Sequence, residues 1–99
     1  MRSYLTHLEG PLDGSRHDPA KLQTVHQGRP LLARYDLAGL KRELARDELA
    51  RRPANLWKWR ELLPVQHEEN IVSLGEEATP LVACPRLGAT LGVEPLLVK

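Results

Sequence analysis

The sequence predicts a small α+β chain: a short antiparallel ribbon, short helices and a terminal strand. Three observations predict it. Two segments with strand character, YLTHLE and PLLARYDL, are separated only by a Gly- and Pro-rich stretch, the arrangement of an antiparallel ribbon. Leu37, Leu40 and Leu44 recur at helical spacing behind Asp36. The sequence closes on LLVK, a short apolar run of buried-strand type.

Each element has a local reason. Tyr4 to Glu9 alternates loosely, with Tyr4, Thr6 and Leu8 on one side. Leu31 to Leu37 reads as a second strand, with Pro30 before it where a missing N–H costs least. Asp36 suits the N-cap of a helix starting at Leu37, with Lys41, Arg42, Glu43 and Arg46 facing outward. Asp47 is expected to cap a second turn over Glu48 to Arg52, and Pro53 blocks its continuation. Leu56 to Arg60 reads as one helical turn followed by extended chain. Gln66 to Asn70 reads as polar loop, Ile71 to Ser73 as extended, and Glu76 to Pro80 as loop. Pro85 to Leu91 is expected as a short helix stopped by Gly92, and Leu96 to Lys99 as a strand. Three segments follow: 1–36 ribbon-like, 37–70 helical, and 71–99 the start of a further α/β unit.

Composition narrows the function. At 99 residues the chain buries only about two-thirds of its unfolded surface. It has two Trp, two Tyr and no Phe, so any core rests on Leu, Val and Ala. Fourteen basic and thirteen acidic residues leave a net charge of +1, which gives no support to a nucleic-acid partner. No apolar run approaches the roughly 18 residues of a membrane span. MRSYLTHLEG lacks the apolar stretch of a secretory signal. The lone Cys84 excludes an internal disulfide. A cytoplasmic location is the expectation.

The stretch from Leu8 to Pro30 has almost nothing apolar to bury and still joins two strands. His7, Asp13, His17 and His26 are chemically able to ligate a metal there. Asp13-Gly14, Asp18-Pro19 and Gly28-Arg29-Pro30 read as turns, and no recognised ligand spacing is present, so solvated turns without metal are expected. Cys84, before Pro85, reads as a small buried hydrophobe. Glu76 and Glu77 read as solvated acids, and Trp57 with Trp59 as a packed core pair in preference to a base-stacking patch. No residue is assigned as catalytic, cofactor-binding or metal-binding.

Two segments carry a resemblance. NIVSLGEEATPLVACPRLGATLGVEPLLVK is similar to the opening segment of threonine synthases and their pyridoxal-phosphate (PLP) relatives of the tryptophan synthase β-like, fold type II superfamily. Ser73, Leu74, Gly75, Glu76, Thr79, Pro80, Leu81, Leu87, Gly88, Leu91, Gly92, Leu97, Val98 and Lys99 match it, while Glu77 stands where the family prefers Gly. LWKWRELLPV resembles the segment that precedes this pattern in the same family, and YLTHLE and RPLLARYDL also resemble family sequence.

The resemblance implies an α/β PLP enzyme of which this chain is the N-terminal part. It implies a lyase of amino-acid biosynthesis that converts O-phosphohomoserine to threonine and phosphate. It also implies a degenerate zinc ribbon. Family members place CxxCG pairs in the loop, and here Gly10 and Asp13 stand in place of the first pair, with VHQGRP at the second. The family's Schiff-base lysine lies in an NPTGSFK-like segment that is not found up to Lys99. The chain alone is therefore expected to bind no PLP and to be inactive, with the remainder of the enzyme fold as its partner and a homo-oligomer left open. The alternative is a stand-alone, non-enzymatic interaction module derived from the ribbon.

Overall fold

The computed structural model describes residues 2–76 and 78–99. Strand β1, Leu5–Glu9, is central in a three-stranded antiparallel sheet, between β2, Arg16–His17, and β5, Leu32–Tyr35. The turn from β1 to β2 is tight: Gly14 N donates to Gly10 O and Gly10 N donates to Ser15 O, both at 2.9 Å. Strands β3, Val25–His26, and β4, Arg29–Pro30, form a separate antiparallel ribbon. Its two-residue loop places Gln27 and Gly28 at φ 51 and 71°, the positive pair that marks a type I′ hairpin. The expected second strand, Leu31 to Leu37, is β5, which ends at Tyr35, while Pro30 before it belongs to β4.

Asp36 caps α1, Leu37–Glu43, by accepting from Gly39 N at 2.8 Å. The leucine stripe of this helix is not buried: Leu37 is 63% exposed, and Leu40 and Leu44 are half-buried. Helix α2 spans Arg46–Arg51 with Ala45 at its N-cap. Asp47 therefore sits in the first turn, where its charge favours the helix dipole, and does not cap. Leu56–Leu62 is 3₁₀ helix with a kink at Trp59, and Glu68–Asn70 is a second 3₁₀ turn inside the expected polar loop. Ile71 to Ser73 lies outside any element.

The C-terminal part folds as a β–α–β unit. β6, Val82–Ala83, pairs antiparallel with β7, Leu97–Val98, around α3, Pro85–Leu91. Pro85 occupies the first turn of α3, and Gly92 ends it in the left-handed conformation, φ 68°, as the sequence implies. Gly88 is packed closely: a Cβ there would lie 2.6 Å from Val93 O. The terminal strand differs from expectation. It is antiparallel and half-open, with Leu97 48% exposed, because among the described residues no second layer covers it.

Tyr4 ties β1, α1 and the 3₁₀ segment together. Among the described residues it is the buried apolar side chain, 6% exposed. Its N–H donates to Glu61 O and its carbonyl accepts from Asp36 N, both at 2.9 Å. Its hydroxyl donates to the Glu43 carboxylate, and the Arg2 guanidinium lies 4.8 Å from its ring centre. The Glu43 hydrogen bond raises the Tyr4 hydroxyl pKa. A second tie is Arg52, whose guanidinium reaches Glu61 Oε1 and Oε2 at 2.7 and 2.8 Å and Lys58 O at 2.9 Å. Planar bidentate contacts of this kind fix geometry as well as charge.

The apolar surface is far from covered. The Cα radius of gyration is 17.7 Å, against about 13 Å for a compact chain of this length. The accessible surface is 7834 Å², against about 5,700 Å² for a folded monomer of this mass. Leu81, Val82, Leu87, Leu91, Val93, Leu97 and Val98 are all exposed on or beside the C-terminal unit.

Candidate functional site

The loop between β1 and β5 is held by polar groups. Asp13 lies on the β1–β2 turn, Ser15 just before β2, His17 on β2, and His26 on β3. Ser15 Oγ donates to Asp13 Oδ1 at 2.6 Å, and Ser15 N donates to the same oxygen at 3.0 Å. His26 Nε2 lies 2.9 Å from Asp13 Oδ2. His17 Nε2 lies 2.8 Å from Ser15 Oγ. The two imidazole centroids are 4.4 Å apart, with their planes at 56°.

Hydrogen-bond accounting orients the network. An ionised carboxylate only accepts. Ser15 therefore spends its one proton on Asp13, and His17 must donate from Nε2 to Ser15. His26 likewise donates from Nε2 to Asp13. Ser15 Oγ, Ser15 N and His26 converge on one carboxylate, and these hydrogen bonds, the Ser15 hydroxyl first among them, hold the Asp13 carboxyl well below the usual carboxylate range. Gly10 makes room for the cluster, since a Cβ there would lie 2.5 Å from Asp13 Oδ1 and 2.9 Å from His26 Cδ2.

The arrangement differs from a hydrolytic triad. A triad places the imidazole between serine and carboxylate, whereas here Ser15 contacts Asp13 directly and His17 lies on its far side. It also differs from a metal centre. Both Asp13 oxygens are taken by hydrogen bonds, and among the described residues no group of three or more His, Cys, Asp and Glu is placed to hold an ion. The structure thus brings together three of the four residues that sequence singled out as able to ligate. It leaves the fourth apart: His7 pairs through Nδ1 with Thr6 Oγ1 at 2.9 Å. Sequence reasoning missed Ser15. The signal was available in Asp13-Gly14-Ser15, where an Asp side chain accepts from the N–H two residues on, the Asx-turn pattern.

The remaining sequence candidates lie apart from this cluster. Cys84 is half-buried, 3.7 Å from Val82 O. Glu76 turns back on its own loop, accepting from Leu74 N and from Ser73 Oγ at 2.9 Å. Those bonds, its own backbone N–H first, lower its carboxyl pKa. Its expected companion Glu77 lies outside the described residues. Trp57 is half-buried, but Trp59 is 48% exposed with the Lys58 ammonium 5.6 Å from its ring centre. The expected core pair is therefore not formed, because Trp59 falls at the kink of the 3₁₀ segment.

A cleft of about 430 Å³ lies beside Trp59, with Lys58, Glu76, Thr79 and Lys99 in its wall. Lys99 Nζ donates to Thr79 O at 3.1 Å, and Ala78 N is already given to Ala54 O. Among the described residues no helix is long and apolar enough to cross a membrane.

Comparison with known proteins finds similar sequences. The chain is 40% identical over 65 residues to the threonine synthase of Methanocaldococcus jannaschii, covering 66% of this chain and 16% of that protein. It is 35% identical over 65 residues to the threonine synthase of Methanosarcina acetivorans, covering 66% and 15%. The chain therefore matches only about one-sixth of the length of these relatives. No family model and no solved structure matches. Over the matched residues the chain is threonine synthase-like.

Proposed function

We propose that the chain serves as the N-terminal part of a threonine synthase-like, PLP-dependent lyase of fold type II. It acts in the cytoplasm on amino-acid biosynthesis, converting O-phosphohomoserine to threonine and phosphate. The match to two threonine synthases carries this reading. The uncovered apolar surface supports it. The excess accessible area over a compact monomer is on the scale of a permanent interface, and the rest of the enzyme fold is its proposed partner.

Within this reading the chain contributes scaffold and no chemistry of its own. In this reading the cofactor is held by the rest of the enzyme fold. A PLP site needs a Schiff-base lysine and groups that hold the cofactor. Lys99 is engaged with Thr79 O, the Glu76 carboxylate with Leu74 and Ser73, and the Ala78 N–H with Ala54. In the same reading the first loop is a zinc ribbon that has lost its thiolates. Gly10 and Asp13 occupy the places of the first pair, and the carboxylate-centred network does the bracing.

A chimera tests this. The 65 matched residues of this chain replace their counterparts in the Methanocaldococcus jannaschii enzyme, and phosphate release from O-phosphohomoserine is measured alongside rescue of a threonine auxotroph. The expected result is activity in the chimera and none in the chain alone. A dead, well-folded chimera, together with a chain that unfolds cooperatively as a monomer, would favour the stand-alone module.

A further inference from the structure

Among the Trp and Tyr side chains of the described residues, Trp59 is the most exposed, at 48%. Its ring lines the cleft of about 430 Å³ where the 3₁₀ segment meets the C-terminal unit. The Lys58 ammonium lies 5.6 Å from the ring centre, and Lys99 lines the same cleft. We propose that this cleft binds a small, flat aromatic carboxylate, its ring stacked on the open face of Trp59 and its charge drawn to the Lys58 and Lys99 ammoniums.

The walls are braced before any ligand arrives. Arg52 bonds to Lys58 O and to the Glu61 carboxylate, on either side of Trp59. Ala78 N donates to Ala54 O at 3.0 Å, which joins the C-terminal unit to the 3₁₀ segment. Order present in the free protein does not have to be supplied by binding, and a cleft of this volume is in the range of small-molecule sites. The charge is available too. Among the described residues neither Lys58 nor Lys99 is ion-paired. An ammonium carries three donors, of which Lys99 gives one to Thr79 O. Glu76 is the acidic group described in the wall, and both its oxygens accept from its own loop. The neighbouring cations Arg52 and Arg60 face Glu61. A phosphate site gathers several backbone N–H groups, and here the Ala78 N–H is already given to Ala54. Two ammoniums beside an aromatic ring suit a carboxylate on a flat frame, since stacking on an indole asks only for a π-face.

The site stands on the cleft alone and survives failure of the threonine synthase reading. The test is an NMR titration of the full chain with naphthoate, read at the two indole N–H signals, which Trp57→Phe assigns. Trp57 Nε1 is enclosed by protein and serves as the internal control. A saturable shift of the Trp59 signal is expected, with an affinity of about millimolar, while the Trp57 signal stays in place. Naphthalenemethanol, which has the ring without the charge, is expected to bind more weakly. So are acetate and inorganic phosphate, which have the charge without the ring. Lys58→Gln and Lys99→Gln are each expected to weaken naphthoate by about threefold, the scale of an exposed ion pair. If one of these variants does not fold, the other carries the same expectation. The absence of a saturable shift at Trp59, or an equal shift at both indoles, overturns the proposal. Undiminished naphthoate affinity in a folded lysine variant overturns it as well, as does equally tight binding of the alcohol, acetate or phosphate.

Discussion

His26 donates its Nε2–H to Asp13 Oδ2 at 2.9 Å across thirteen residues of chain, joining the β3–β4 ribbon to the β1–β2 turn. The contact is polar and half-exposed, with the His26 and Asp13 side chains 30% and 37% accessible. It holds the loop because nothing apolar is available to do so. A stretch this poor in hydrophobic groups is ordered by hydrogen bonds to specific side chains or not at all.

Gly10 is expected to tolerate no side chain. The Cβ of Gly10→Ala would fall 2.5 Å from Asp13 Oδ1 and 2.6 Å from Ser15 Oγ, and both atoms are locked by the network. Overpacking of this kind destabilises by about 1–3 kcal/mol. Urea unfolding at neutral pH measures it, and an unchanged midpoint would show that the cluster shifts freely.

Asp13→Asn replaces an oxygen acceptor with an NH₂ donor and faces it toward Ser15 or His26, both donors already. Faster exchange of residues 11–29 is expected at neutral pH. The acid response has a definite sign. Because the folded carboxyl is held below its ordinary value of 3.8, its contribution is complete above that value. It is lost as pH falls from there through the lowered folded pKa. Loop loosening as pH falls below the ordinary carboxylate value therefore belongs to Asp13.

Arg52→Lys is expected to weaken the tie between α2 and the 3₁₀ segment. Lysine cannot span both Glu61 oxygens and Lys58 O as the guanidinium does. Hydrogen bonds to charged groups are worth about 1.5–3 kcal/mol, so the loss is expected near the lower end, since the ammonium keeps one of them. Arg52 lowers the Glu61 pKa, so the pair's contribution is complete above the ordinary glutamate value of 4.5 and is lost as pH falls through the lowered one. Urea titrations of both forms at neutral and acid pH check this: their difference in stability should shrink in acid.

Leu97→Lys separates the two readings of the C-terminal unit. Leu97 is 48% exposed on an open two-stranded ribbon, a form prone to self-association. In the chain alone the change is expected to cost within about 0.5 kcal/mol and to lower light scattering. In the chimera it should bury a charge and abolish soluble enzyme. A soluble, active Leu97→Lys chimera would show that this strand is not an interior one.

The sequence alone determined the elements whose chemistry is local. Asp36 reaches Gly39 N within one turn, so α1 begins where a capping residue meets an apolar repeat. Pro85 and Gly92 bound α3 by their own backbone preferences, and YLTHLE forms β1, although a register shift between Leu5 and His7 interrupts its alternation. The tertiary structure decided what depends on where the chain returns. No pattern within a few residues encodes that His26 meets Asp13, that β7 lies antiparallel to β6, or that Tyr4 bridges Asp36 and Glu61. Nor did spacing reveal which apolar groups are covered. The Leu37 stripe and Trp59 have the composition of a core and remain exposed, because burial needs a facing layer and periodicity describes only one side of the contact. The metal-capable residues were legible by type. Their assembly on one carboxylate was not, since Ser15, the link between His17 and Asp13, carries meaning only once the turn at Asp13-Gly14 has folded.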